Sequence, residues 1–359
     1  MVSGAKTLTG TQVRARAPLR ISFAGGGTDV DPYPAERGGR VLNAAINRYA
    51  YCTIAPRPDD AIEIRSQDID TVIRFERNGA RAEGGGPLRL VEAALAGFGD
   101  QLERRGFDVT LHTDASPGSG LGASSAVVVA LVGALREHLG LPMGAYEIAE
   151  RAYRLERIDA GIPGGRQDQY AAAFGGFNYI EFTGRRTVVN PLRIDPGTAS
   201  ELEYRMVLAY TGGSRASAGI LTDQVARYRR GDADTCDALD RQKALAAAMK
   251  EALLTGDLDG FAEMLNEAWT AKRRMSPLIA TPRIDAIWGA ARGAGAVGGK
   301  ISGAGGAGFM FFVVDPDRRR EVVESLRAMD CQVLDFSFDR DGLTSWRVDR
   351  AEEPGEVRP

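Results

Sequence analysis

Apolar and polar positions first alternate through Leu19-Arg20-Ile21-Ser22-Phe23, which predicts a strand entered from Arg14 to Ala17 and ending at Gly25-Gly26-Gly27. Further strands are expected over 40–46, 49–54, 61–66 and 71–75, then a Gly-Pro turn at 84–87, a helix over 88–97 and a strand over 107–113. At Ala123 the period changes to that of a helix, over 123–139 and again over 145–157, with Gly140-Leu141-Pro142 between them. A stretch rich in Gly and Gln (161–169) leads to a short helix ending near Phe174 and a hairpin through 177–183. The polar segment 191–197, with two prolines, is the expected boundary. Beyond it lie a strand over 204–210 and helices over 216–229, 236–254, 258–274 and 284–294. Strands over 297–302, 309–314 and 331–338 follow, with a helix over 316–329. Strands and helices mixed without strict alternation indicate an α+β fold. The expected division is a domain over 12–195, a second over 196–350, and a loose charged tail over 351–359.

Composition narrows the function. In 359 residues, 45 Lys and Arg oppose 48 Asp and Glu for a formal charge of −3. No blanket basic surface exists, so a nucleic-acid partner is not expected. Aromatics at 7% are also sparse for a base-stacking platform. Three cysteines, Cys52, Cys236 and Cys331, form no CxxC pair and suit a reducing compartment. The start of the chain lacks the apolar core of a signal peptide, and the longest apolar run, 126–135, is short of the ~20 residues of a membrane span. A soluble cytoplasmic protein with no membrane partner is expected. Its oligomeric state stays open, a homodimer included. With only His112 and His138, histidine-based metal or base chemistry is disfavoured.

Glycine is the compositional outlier, at 44 residues, and its clusters carry the chemistry. Pro117-Gly118-Ser119-Gly120-Leu121-Gly122-Ala123-Ser124-Ser125 lies between a strand and a long helix. Alternate glycines let a backbone approach a ligand, and the helix N-terminus favours phosphate. The two serines can donate to phosphate oxygens or hold a cation. The P-loop pattern is absent: Gly299-Lys300 comes near it, but Ala294 stands at the first glycine position and Ile301 follows the lysine. Gly118 to Ala123 fits the GxGxxA form, yet a second helix follows where a dinucleotide fold needs a strand ending in an acidic residue.

Three segments in order, Pro18 to Asp29, Pro117 to Ala126 and Lys300 to Gly308, resemble the three motifs of the GHMP small-molecule kinases (galactose, homoserine, mevalonate and phosphomevalonate kinases). The resemblance covers roughly Arg14 to Val314. Gly25-Gly26-Gly27 before Thr28-Asp29, the run Gly164 to Tyr170, and Tyr210 to Arg215 most resemble the bacterial D-glycero-D-manno-heptose 7-phosphate kinases. The resemblance implies an N-terminal half like ribosomal protein S5 domain 2 and a ferredoxin-like C-terminal half, with ATP and substrate between them. It also implies an ATP- and Mg²⁺-dependent kinase acting on the anomeric hydroxyl of a heptose 7-phosphate. A kinase of an unphosphorylated sugar and a catalytically dead nucleotide-binding regulator are the alternatives; the presence of Asp168, Glu156 and Ser124 speaks against the last.

The same resemblance assigns roles. Asp168 is the expected carboxylate that accepts the proton of the attacking hydroxyl, and Arg20 the arginine near the transferring phosphate. Ser124 and Glu156 are the expected metal ligands, an oxygen-rich and incomplete shell of the kind Mg²⁺ prefers. Residues 117–125 are expected to hold the ATP phosphates. Asp29, with Gly26, Gly27 and Thr28, is expected at the sugar, and Gly303 and Gly305 shape the pocket by backbone approach. Ala307, where a glycine often stands, should narrow that third loop. Arg215, Lys272 and Lys300 are the cations expected to read the phosphate already on the substrate, Arg215 foremost.

Overall fold

The computed structural model describes residues 11–75, 89–99, 102, 106–115, 118–184, 186–213 and 217–349. The alternating N-terminal stretch forms one long strand, β1 (Thr11–Ala24), antiparallel to a second, β2 (Gly39–Pro56). Two strands were expected over 40–54. They are one, because the irregularity at 47–48 is a bulge: the register passes from Pro18↔Tyr49 to Leu19↔Ile46 without ending the ladder. The opposite edge of β2 carries two partners, β5 (Phe107–Thr113) along Ala50–Pro56 and β6 (Phe177–Thr183) along Gly39–Ala44. The hairpin β3 (Ile62–Ser66) and β4 (Thr71–Phe75) continues beyond β5, and β7 (Arg186–Pro191) pairs with β6. A short helix that the pattern does not signal, α1 (Tyr33–Arg37), closes the loop between β1 and β2.

Four helices cover this sheet: α2 (Arg89–Phe98), α3 (Ala123–Leu139), α4 (Ala145–Tyr153) and α5 (Gln167–Phe174). The run Ala126 to Leu135 in α3 is buried apart from Val127 at intermediate exposure, which marks a central helix rather than a membrane span. Among the described residues no helix is long and apolar enough to cross a membrane. The helix expected to reach Arg157 instead widens into a π turn at Arg154–Asp159, where the Ala160 N–H reaches the Leu155 carbonyl.

The second sheet is antiparallel, ordered β11 (Gln332–Leu334), β8 (Met206–Tyr210), β10 (Phe309–Val314), β9 (Ala296–Ile301). In chain order that is 4-1-3-2, the ferredoxin-like arrangement. The 191–197 segment leads into α6 (Pro196–Arg205), whose N-cap Asp195 accepts from the Thr198 N–H. Between β8 and β9 run α7 (Ser217–Arg229), α8 (Ala233–Thr255), α9 (Leu258–Met275) and α10 (Pro282–Ala294), and α11 (Arg319–Ala328) precedes β11. The strand expected over 331–338 is shorter, and a final strand that the pattern did not signal, β12 (Thr344–Asp349), returns to pair with β1. The expected second domain, over 196–350, therefore serves both sheets through its described residues; position 350 and the tail over 351–359 lie outside them.

Phe23 joins the halves. Its ring meets Phe261 of α9 at 5.2 Å, Phe311 of β10 at 5.9 Å and Phe177 of β6 at 6.4 Å. Burying such a ring stabilises by about 1.5–3 kcal/mol, and aromatic pairing adds to that. The last residues of β1, and the glycine loop after them, are thereby fixed against both sheets.

Candidate active site

The loop over 118–122 is held by its carbonyls. The Ser119 carbonyl accepts from Phe309 N–H, the Leu121 carbonyl from Arg20 N–H, and the Gly120 carbonyl from Arg20 Nη1 at 2.7 Å and Ser302 Oγ at 2.9 Å. With the carbonyls taken, what the loop offers a ligand is N–H groups, continued by the first amides of α3, which have no intrahelical acceptor. The third glycine loop lies against its back: a Cβ on Gly303 would stand 2.6 Å from Gly120 Cα, and both residues have positive φ. The two loops pack together only because both lack side chains. Gly303, Ala304, Gly305 and Ala307 reach the cleft rim, and the Ala307 methyl is accommodated there.

Arg20 and Asp168 meet across the cleft floor. Arg20 Nε donates to Asp168 Oδ1 at 2.8 Å, and the arginine is 4% exposed. Asp168 stands in the first turn of α5 beside Gly122, where a Cβ would come within 3.4 Å of Oδ2. One carboxylate oxygen is thus held by a cation while the other faces the loop.

Glu156, on the π turn, is fully buried and accepts four contacts. Oε1 takes Ser124 Oγ at 2.8 Å and Arg157 Nη1 at 3.1 Å; Oε2 takes Ser125 Oγ and Gln169 Nε2, both at 2.6 Å. Ser124 Oγ and Glu156 Oε1 are adjacent oxygens of the kind that would hold Mg²⁺. No cluster of three His, Cys, Asp or Glu exists among the described residues, so phosphate and water oxygens would complete such a shell.

Asp29 is 1% exposed and accepts from Gly27 N–H at 3.0 Å, Gln167 N–H at 3.1 Å and Gln167 Nε2 at 3.4 Å. Burial raises its pKa, the Gln167 backbone bond opposes that, and the neighbouring Asp168 adds to the rise. A Cβ on Gly165 would stand 1.9 Å from its Oδ2, so the first motif and the loop before Asp168 are locked together through this carboxylate.

The structure brings most of the expected residues to one cleft: Arg20, Gly26, Gly27 and Asp29; the second loop's Gly118, Gly120, Gly122 and Ala123 to Ser125; Glu156 and Asp168; Lys272, Lys300, Gly303 and Gly305. Several expectations change in detail. Thr28 is fully buried with its hydroxyl on the Gly25 and Arg40 carbonyls, so it shapes the loop and cannot touch a sugar. Ser119 and Leu121 point into the protein, and the Ser125 hydroxyl is turned inward to Glu156. Lys300 spends two donors on the Ser22 and Phe23 carbonyls, each at 3.0 Å, which makes it a tie between β9 and β1. Burial, Lys272 and Arg20 push its pKa well down. Pro117 and Arg215 lie outside the described residues.

Sequence reasoning missed Gln167, Gln169 and Arg157. The glutamines flank Asp168 in a run already singled out, and a polar residue on each side of the expected base was the available signal. Arg157 follows Glu156 directly, and binds Glu156, Ser125 Oγ and the Gly165 carbonyl.

Models of two families match the chain: "GHMP kinases N terminal domain" over residues 89–176 and "GHMP kinases C terminal" over 249–330. The D-glycero-alpha-D-manno-heptose 7-phosphate kinase of Campylobacter jejuni is 40% identical over 339 residues, covering 94% of this chain and 99% of that protein. A crystal structure described as a D-glycero-D-manno-heptose 1-phosphate kinase from Bacteroides thetaiotaomicron superposes with a TM-score of 0.78 at 40% identity, covering 94% and 99% of the two chains. The galactose complex of Lactococcus lactis galactokinase, at 19% identity and a TM-score of 0.72 over 94% of this chain and 95% of that one, shares the fold.

Proposed function

The chain belongs to the GHMP kinases, and on that premise we propose that it transfers the γ-phosphate of ATP to the anomeric hydroxyl of D-glycero-D-manno-heptose 7-phosphate, giving the 1,7-bisphosphate. The observation that carries the reading is the Arg20–Asp168 pair beneath the glycine loop. Phosphoryl transfer asks the protein mainly for positioning and for charge. In this reading the acceptor hydroxyl gives its proton to Asp168 Oδ2 while its oxygen bonds the γ-phosphorus, and the bond to the ADP oxygen breaks. Arg20 holds Asp168 through Oδ1 and stands beside the transferred group. Ser124 Oγ and Glu156 Oε1 would hold Mg²⁺, which when bound would neutralise phosphate charge. Gln169 and Arg157 fix the Glu156 carboxylate, and Asp29 is the sugar-side carboxylate.

The heptose assignment draws on the 40% identity over nearly the whole length of the Campylobacter enzyme. The two relatives' names differ in which phosphate the sugar already carries. The test is therefore a panel assayed for ADP release, containing heptose 7-phosphate, heptose 1-phosphate, unphosphorylated heptose, fucose and galactose, with products identified by phosphorus NMR. The expected result is fastest turnover of heptose 7-phosphate with a new anomeric phosphate. Preference for heptose 1-phosphate or for an unphosphorylated sugar overturns it.

A further inference from the structure

The last turn of α9 carries Lys272-Arg273-Arg274. Two of these cations are spent at the surface. Arg273 pairs with Asp285 at 2.9 Å and lies over the Trp269 ring, and Arg274 pairs with Asp234 at 2.6 Å. Lys272 falls on the stripe of Leu265, Ala268, Trp269 and Met275, the buried face of the helix, and is turned inward. It is 6% exposed and lines the cleft. Among the described residues its ammonium donates no hydrogen bond and forms no ion pair.

The other cations of the cleft are committed. Arg20 serves Asp168 and the Gly120 carbonyl, Arg157 serves Glu156, and Lys300 serves two backbone carbonyls. A buried ammonium with no acceptor is costly, and an anion in the cleft relieves that cost. We infer that Lys272 is a phosphate-binding cation of this cleft, held without a protein partner so that a phosphate oxygen can complete it. The inference rests on the kinase reading above for which phosphate arrives. Burial and the neighbouring Arg20 lower its pKa to about 8 against the pull of Asp29, which agrees with an unpaired cation awaiting an anion. Lys272, Arg20 and Asp29 line the same cleft, which in the kinase reading is where acceptor and transferred group meet. The phosphate has two possible sources, the one already on the sugar and the γ-phosphoryl group in transfer.

Lys272→Met removes the charge and keeps an unbranched chain. Because no protein partner is lost, the variant should fold, with an unfolding midpoint at or above that of the wild type. Each protein is loaded with ADP, so that the glycine loop is occupied, and titrated with inorganic phosphate by calorimetry. The variant should bind phosphate roughly ten- to a hundredfold more weakly. In steady state, a KM raised by that factor for heptose 7-phosphate, with unphosphorylated heptose unaffected, identifies the sugar's own phosphate. A kcat lowered by that factor with both sugars, at unchanged KM, identifies the transferred group. Lys272→Arg should recover part of either loss. Wild type and Lys272→Met that take up inorganic phosphate alike, including not at all, overturn the inference. Failure of the wild type to use any heptose overturns the substrate reading alone, because the phosphate titration still reads Lys272.

Discussion

Arg20 Nε lies 2.8 Å from Asp168 Oδ1 although the residues stand 148 positions apart, and the same guanidinium grips the Gly120 carbonyl. The expected base and the expected phosphate loop therefore share one arginine. Moving either displaces the other. The arginine is delivered by β1, itself fixed by Phe23 against both sheets, so the expected site is built on a buried strand end.

Asp168→Asn keeps the shape and removes the proton acceptor. The expected fall in kcat is on the order of 10²–10⁴-fold, with nucleotide affinity largely kept. Steady-state ADP release and a separate nucleotide titration check both halves, and near-wild-type turnover would take Asp168 out of the mechanism.

Ser124→Ala and Glu156→Gln each alter one of the two oxygens expected on Mg²⁺. Both should raise the Mg²⁺ concentration for half-maximal rate more than the sugar KM. Gln169→Ala, which removes one of the two donors to Oε2 and leaves Ser125 Oγ on it, without touching Ser124 or Oε1, should shift the Mg²⁺ curve less than either. A shift confined to the sugar curve would refute the metal assignment.

Gly303→Ala would put a methyl 2.6 Å from Gly120 Cα at a φ of +66°. Strain of this kind costs roughly 1–3 kcal/mol, and it falls on the phosphate loop. Lower thermal stability with a raised ATP KM is expected. Gly289→Ala, where a Cβ meets nothing within 4 Å, is the matched control and should leave both unchanged or gain slightly in stability. Equal effects at the two positions would discount the interlocked loops.

Lys272 has a folded pKa near 8, below its ordinary lysine value. Between pH 8 and about 10.4 the unfolded chain holds this proton and the folded protein has released it, so this group makes stability rise with pH there. Below pH 8 both states are protonated and the burial penalty is complete. In ligand-free protein, urea midpoints measured across pH 7 to 10 should therefore rise more for the wild type than for Lys272→Met, which lacks the group. Parallel curves would contradict the unpaired state of the ammonium.

Local pattern settled much of the architecture. Helix start and stop signals set α3 at 123–139, alternation marked Phe107–Thr113, a continuous apolar run marked Phe309–Val314, and the glycine clusters marked all three loops of the cleft. These signals are short-range: a helix, a strand or a glycine turn is decided by residues a few positions apart. The tertiary structure decided which polar groups remain available. Lys272 and Lys300 look alike in the sequence, yet one is spent on backbone carbonyls and the other is left without an acceptor. Thr28 and Ser125 carry hydroxyls at motif positions, but both are turned into the protein, Thr28 by the Gly25 and Arg40 carbonyls and Ser125 by Glu156, 31 positions on. The pairing of β12 with β1 likewise joins segments more than 300 residues apart. A side chain's chemistry depends on whether its donors and acceptors are already satisfied, and that follows from neighbours brought by long-range packing, which no local period encodes.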